Sequence, residues 1–249
     1  MRRVKKSLFS LWSMLGLTSC GLLPLPTPQA DNPPTFPELA PSQPISEPAA
    51  FRPDMECGGQ FTQEQRMYLE LVHKMVEQGQ FYGALANLNQ LEKSATASPQ
   101  TIYLRAEALR GSGQLDAAER QYRLLLDGCM AGYGLHGLGL LATETGQLSQ
   151  AEDYLARACH ERPVDANAHN DLGMVLLLQG RHQEARREFM TAMELDRANH
   201  LPVENLIVLM LIEKQDMLAR QFAAERGLND QDMERLAMRA QQLNTPSQR

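Results

Sequence analysis

The chain has 249 residues, of which 43% are hydrophobic and 22% are charged, with 24 basic and 30 acidic side chains and a formal net charge of −6. This length is enough for a folded domain with a core of its own. Nucleic-acid binding depends on an excess of lysine and arginine, so the acidic balance argues against nucleic acid as a partner.

Residues 1–19 have the pattern of a bacterial export signal. A basic segment with Arg2, Arg3, Lys5 and Lys6 precedes the apolar stretch Leu8–Leu17. That stretch is too short to span a bilayer. If the segment is removed, the loss of four basic residues leaves a net charge of about −10.

The end of this segment, Leu17-Thr18-Ser19-Cys20, resembles the lipobox of bacterial lipoproteins. The resemblance implies that the Cys20 thiol receives a diacylglyceryl group, that cleavage follows, and that the new amine is acylated. Gly21 follows Cys20, which by analogy with enterobacterial sorting favours the periplasmic face of the outer membrane. The alternative is an ordinary signal peptide that is cut elsewhere and leaves Cys20 free.

Residues 20–62 are predicted to be a lipid-anchored, proline-rich tether. Ten of the fourteen prolines fall between residues 21 and 60, and no hydrophobic periodicity is present there. Such a stretch is expected to be extended, with about 3 Å of reach per residue where it adopts a polyproline conformation. It could therefore hold a following domain up to roughly 100 Å from the membrane.

From residue 63 the sequence repeats itself. Gly79, Gly113, Gly146 and Gly180 are 34, 33 and 34 residues apart, and an alanine follows each of them after five residues. A period of about 34 residues is typical of stacked helical hairpins. In the clearest repeat, Ala185, Phe189 and Ala192 share one helical stripe, and Gly173 on the first helix leaves room for the second.

These residues resemble tetratricopeptide (TPR) repeats. The resemblance implies an all-α fold, a right-handed superhelical array of TPR hairpins with a C-terminal capping helix. The predicted array covers residues 63–228, with repeats near 65–98, 99–131, 132–165 and 166–199. A degenerate fifth repeat, 200–228, has Lys214 in place of the turn glycine. Residues 229–249 are predicted to form the capping helix and tail, with Asn229 or Asp230 as N-cap.

The resemblance also implies a groove for a protein partner, lined by the first helix of each hairpin. By register, the groove residues are Tyr103, His136, Leu140, Asn170, Met174, Leu177, Glu204, Val208 and Leu211. The apolar members lie towards the C-terminal end and predict an exposed strip that suits an amphipathic helix or an extended peptide. The alternative is that some of these side chains pack beneath the capping helix.

Three cysteines besides Cys20 could form a disulfide in an oxidising compartment. Cys129 is expected at the end of the second helix of repeat two, and Cys159 late in the second helix of repeat three. A bridge between them, a bridge from Cys57 to Cys129, and a buried free Cys159 all agree with the sequence, so the pairing stays open.

No motif of catalysis or metal binding is present. The chain lacks HExxH, GxSxG, CxxC and P-loop patterns, so we expect neither an enzyme nor a cofactor or metal site. The order of lipobox, proline-rich tether, TPR array and tail helix resembles the TPR lipoproteins of the tight-adherence (Flp) pilus system, the TadD family.

That family resemblance implies an outer-membrane, pilotin-like assembly factor that binds a secretin segment or another pilus component. The alternatives are a pilotin of the type IVa pilus and a lipoprotein activator of a periplasmic cell-wall enzyme.

Overall fold

The computed structural model describes Cys57, residues 61–93 and residues 97–244, and this part of the chain forms eleven α-helices and no β-strand. The helices are Gln63–Glu77 (α1), Phe81–Glu92 (α2), Pro99–Gly111 (α3), Leu115–Arg123 (α4), Ala131–Glu144 (α5), Leu148–Glu161 (α6), Ala166–Leu178 (α7), His182–Leu195 (α8), Leu201–Ile212 (α9), Asp216–Glu225 (α10) and Asp230–Asn244 (α11). The predicted all-α fold is confirmed. Residues 1–56, which include the predicted signal peptide and Cys20, lie outside the described residues.

Ten of these helices pair into five hairpins, and each hairpin turns at a residue with a positive φ. The turn glycines Gly79, Gly113, Gly146 and Gly180 have φ values between 72° and 80°. The N–H after each turn residue bonds back to a carbonyl five residues earlier, as from Gln147 to Ala142 at 2.8 Å. Glycine suits this turn because it adopts a left-handed backbone without steric cost.

The fifth hairpin keeps the same turn without a glycine. Lys214 has a φ of 60°, and the Gln215 N–H bonds to the Met210 carbonyl at 2.9 Å. The substitution that marks this repeat as degenerate in the sequence therefore does not change the path of the chain. It leaves a non-glycine residue in a left-handed conformation, which costs free energy.

Within a hairpin, small residues let the two helices approach. A Cβ atom added to Gly173 would lie 2.7 Å from Cε1 of Phe189, and Ala185 and Ala192 are completely buried. A Cβ added to Gly139 would lie 2.5 Å from Cγ of Leu155, on the second helix of the same hairpin. Larger side chains at these positions would separate the helices, which explains the small residues at fixed positions in the repeats.

The first helices of successive hairpins contact one another, from α1 through α3, α5 and α7 to α9. They therefore form one continuous surface, which we call the inner face. The last helix, α11, packs against α9. An Asn229–Asp232 capping box begins α11, with the Asp232 N–H donating to Asn229 Oδ1 at 3.1 Å. None of the described helices has both the length and the apolar character needed to cross a bilayer.

A disulfide joins Cys57 to Cys129, whereas Cys159 is free and buried. The predicted position of Cys129 at a helix end was wrong. α4 ends at Arg123, five residues shorter than α6, and irregular turns follow up to Met130. Cys57 also packs against the apolar core of the second hairpin. The bridge thus fixes the segment ahead of α1 to the end of the second repeat.

Candidate functional site

The inner face carries most of the predicted groove residues. Tyr103, His136, Leu140, Met174 and Leu211 are partly exposed on the first helices of four successive hairpins. Because these helices contact one another, side chains that are distant in sequence come together on one surface. The structure thus groups residues that the sequence could relate only through the period.

An aromatic cluster occupies the part of the inner face contributed by α3 and α5. The rings of Tyr103 and Tyr133 pack with centroids 5.1 Å apart, and the Arg162 guanidinium lies 3.4 Å from the centroid of the Tyr133 ring. Arg162 also pairs with Asp165. Burial, with a smaller contribution from the charge of Glu107, raises the pKa of Tyr103, so its hydroxyl stays protonated. The Arg162 guanidinium thus covers one face of the Tyr133 ring by a cation–π contact, and Asp165 balances its charge.

Next to this cluster, Arg110 connects two repeats through ion pairs. Its guanidinium lies 3.0 Å from Glu107 on the same helix and 2.9 Å from Glu144 at the end of α5. The buried Tyr122 hydroxyl donates to the other oxygen of Glu107. Burial and the charge of Glu107 raise the pKa of Tyr122. Both carboxylates are therefore neutralised within the protein.

A chain of hydrogen bonds crosses from α5 to α9. His136 Nε2 lies 2.7 Å from Asp171 Oδ2, and Asn170 Nδ2 donates to Asp171 Oδ1 at 3.1 Å. Asn205 Nδ2 in turn donates to Asn170 Oδ1 at 2.7 Å. Asn205 Oδ1 is buried and has no hydrogen-bond partner among the described residues. Three successive repeats are thus linked by polar side chains.

His136 favours its protonated form in this chain of bonds. Burial by itself would lower its pKa, but the hydrogen bond from the ring to Asp171 and the charges of Asp171, Asp165 and Glu107 outweigh burial and raise the pKa. When His136 is protonated, its imidazolium faces the Asp171 carboxylate, and the side chains of the two residues are only 16% and 26% exposed. The pair is therefore internally neutral.

The C-terminal end of the predicted apolar strip is covered, which corrects the prediction. Val208 is 0% exposed and Leu177 is 5% exposed, so neither offers a free surface. Glu204 accepts two hydrogen bonds from Arg235 of α11, at 3.0 and 2.8 Å. Packing of α11 on α9 covers the helix that carries Val208 and Glu204, as the alternative interpretation of the sequence expected. Leu177 lies on α7, which packs against α8 and α9.

Several important inner-face residues were missed from the sequence. Asn205 lies 35 residues after Asn170, and Asp171 lies 35 after His136. Both separations are one residue longer than the period, so alignment of equivalent positions does not reveal them. Tyr133 and Arg235 were also missed. Tyr133 contacts Arg162, which lies outside the first helices, and the contact of Arg235 with Glu204 depends on the path of α11.

Nothing in the described ranges resembles a reaction centre. His169 contacts Glu188 Oε2 at 2.7 Å through Nδ1 and the Pro163 carbonyl through Nε2, so both ring nitrogens face acceptors and the residue joins two helices. A cavity of about 220 Å³ between α4, α5 and α6 has no histidine, cysteine or lysine in its lining. The residues described contain no group of three metal-ligating side chains.

Comparison with known proteins agrees with this description. A model of the tetratricopeptide-repeat family matches residues 136–200. The TPR repeat-containing protein PA4299 of Pseudomonas aeruginosa is 34% identical over 185 residues, which are 74% of each chain. Tetratricopeptide repeats are in general scaffolds for protein–protein interaction.

Two solved structures share the fold. A structure of Pseudomonas aeruginosa PilF has a TM-score of 0.57 at 19% identity and covers 72% of this chain and 86% of that one. A double mutant of MamA from RS-1 has a TM-score of 0.50 at 14% identity and covers 74% and 98%. Both identities are low, so they support the fold alone. The chain has five hairpins with repeated turns, and its 34% identity to PA4299 extends over 74% of both chains. It therefore belongs to the tetratricopeptide-repeat family.

Proposed function

We propose that this protein is a lipid-anchored assembly factor of the tight-adherence pilus, and that its inner face binds a segment of a secretin or of another pilus component. The lipobox-like sequence ending at Cys20 and the proline-rich tether support an anchor at the periplasmic face of the outer membrane. The order of signal, tether, array and tail helix supports the pilus system.

One observation carries the binding proposal: from α3 to α9, acidic and basic groups of the inner face pair with charges inside the protein, whereas neighbouring apolar side chains are partly exposed. Glu107 and Glu144 pair with Arg110, Asp171 with His136, and Glu204 with Arg235. A partner that needs an unpaired charge finds none among these groups. Recognition then depends on apolar contact and on hydrogen bonds.

The open part of the inner face fits an extended or helical segment with apolar side chains. It runs from Tyr103 and Tyr133 to Leu140 and Met174, before α11 covers the surface at α9. Methionine adapts its shape to different partners, and tyrosine combines apolar contact with a hydrogen-bonding hydroxyl. The anchor raises the local concentration of the array near the secretin, so moderate affinity is sufficient.

The test measures the secretin in isolated outer membranes, separating the monomer from the denaturant-resistant ring. Met174→Glu places a charge in the open apolar part of the face, and Cys20→Ala removes the lipid. We expect both variants to lower recovery of the ring by at least about tenfold. In Met174→Glu the buried unpaired charge costs more than about 1.4 kcal/mol. In Cys20→Ala the array loses the local concentration that the anchor provides.

Met217→Glu is the matched control. Met217 is 88% exposed on the second helix of its hairpin, so the same substitution there should leave the ring unchanged. If Met174→Glu folds normally and the ring is unaffected, the inner face does not bind the secretin. If deletion of the gene changes cell shape and leaves the ring intact, the function in pilus assembly is wrong and activation of a cell-wall enzyme is favoured.

A further inference from the structure

The first helix of the array exposes apolar side chains at positions that later repeats bury. Met67 is 66% exposed and Leu71 is 52% exposed. The residues equivalent to Met67 in the four later repeats, Thr101, Gly134, Ala168 and Pro202, are all buried. Those equivalent to Leu71 in the last three repeats, Leu138, Leu172 and Leu206, are also buried.

These positions face the preceding hairpin. A Cβ atom added to Gly134 would lie 2.7 Å from the Tyr122 carbonyl oxygen and 3.0 Å from Cβ of Leu125, both in the hairpin before it. No hairpin precedes α1 among the described residues. Met67 and Leu71 therefore form the open end of the stack, on a surface whose shape accepts a helix.

The sequence of the tether disfavours such a helix between Pro24 and Pro53. Between Pro24 and Pro53 no run without proline is longer than four residues. Proline inside a helix removes a backbone hydrogen bond and clashes with the preceding turn. Each equivalent surface in the array is covered by a helical hairpin, and a helix of a second chain would cover this one in the same way.

The charges on α1 point to a second copy of the same helix. Glu64, Met67, Leu71 and Lys74 are spaced at three and four residues and lie on one stripe. The stripe has an acidic group at its N-terminal end, two apolar side chains in the middle and a basic group at its C-terminal end. Glu64 and Lys74 are both exposed and make no ion pair among the described residues.

An antiparallel arrangement of two such stripes is self-complementary. It places Met67 of one chain against Leu71 of the other and Lys74 of each chain beside Glu64 of its partner, which gives two identical ion pairs about a two-fold axis. Glu70 lies to one side of the stripe and stays in water. We propose that the protein forms a homodimer through this face of α1, which leaves both inner faces free. This inference does not depend on the proposed function.

The experiment measures the association of the full chain by sedimentation velocity in a detergent matched to the density of the solvent. We expect Leu71→Glu to raise the dimer dissociation constant by at least about tenfold, because it buries a carboxylate in the apolar centre. Met217→Glu is the matched control, since it adds the same charge at the exposed surface of α10.

A charge exchange identifies the arrangement. Glu64→Lys alone and Lys74→Glu alone bring like charges together and should each weaken the dimer about threefold to tenfold. The double variant Glu64→Lys/Lys74→Glu restores opposite charges and should return to within about threefold of the natural chain. Glu64 and Lys74 are both exposed, so circular dichroism and the melting temperature of these variants should change little.

Three results would overturn the proposal. The chain could be monomeric at about 100 μM, which excludes a dimer of useful affinity and leaves this face to a different protein. It could form a dimer that Leu71→Glu does not weaken, which places the interface elsewhere. The double charge variant could fail to recover, which contradicts the antiparallel arrangement.

Discussion

Lys214 gives the sharpest test of the turn geometry, because it is the single non-glycine residue with a positive φ in the described part of the chain. We expect Lys214→Gly to stabilise the protein. A left-handed backbone costs an ordinary residue about 1–2 kcal/mol. Glycine loses more conformational freedom on folding, which offsets about 0.5–1 kcal/mol. The net gain is then between about 0 and 1.5 kcal/mol, and its central value of about 0.8 kcal/mol is equivalent to a rise of roughly 2–3 °C in melting temperature for a domain of this size.

Two control variants separate backbone strain from the other effects of this change. Lys214→Ala removes the charge and keeps Cβ, so its stability should equal that of the natural chain. Gly180→Ala makes the reverse change at the equivalent turn, and no atom lies within 4 Å of the added Cβ. Its expected loss of about 1 kcal/mol therefore reports on the backbone alone. The melting temperatures of all three variants are measured by thermal unfolding. Equal melting temperatures for Lys214→Gly and Lys214→Ala would show that the backbone at Lys214 is not strained.

Two further predictions concern contacts between repeats. The raised pKa of His136 means that its ion pair with Asp171 contributes fully below about pH 6.5 and is lost as the pH rises through that raised value. Asp171→Asn should thus cost about 1–2 kcal/mol near pH 6 in urea unfolding, and less once the pH has risen through the raised pKa; a cost independent of pH would contradict the pairing. The Cys57–Cys129 bridge spans 72 residues, so replacing both cysteines with serine should lower stability by up to about 4 kcal/mol. Reduction of the natural protein should give the same unfolding curve, and a double variant as stable as the oxidised chain would show that the bridge adds nothing.

The turns and the hairpin cores were predictable because their causes are local. A glycine that permits a left-handed turn and an alanine five residues later both act within one hairpin, so the period reveals them. Gly173 and Phe189 show this, since the space left by one is filled by the other within the same repeat. The packing within a hairpin could therefore be derived from the sequence, whereas contacts between repeats could not.

The early end of α4 shows that the second helices of the repeats differ in length more than the period predicts. The period predicted that the second helix of repeat two continues to Cys129, but α4 ends at Arg123. Asp127 and Gly128 follow three leucines there, and both residue types favour turns over helix. The irregular segment positions Cys129 for its bridge to Cys57. Local turn signals in this segment therefore outweigh the period of the repeats.

The two ends of the array depart from the period for opposite reasons. Register with earlier repeats assigned Val208 to an exposed strip, yet α9 contacts α7, α8, α10 and α11 and buries Val208 completely. A helix that is apolar on all sides, as Leu201–Ile212 is, is normally buried on all sides, so its composition was the better guide. At α1 the reverse holds, because Met67 lacks the neighbour that covers its equivalents. Exposure in such an array is therefore set by how many helices surround a position, and register transfers it only between repeats with the same neighbours.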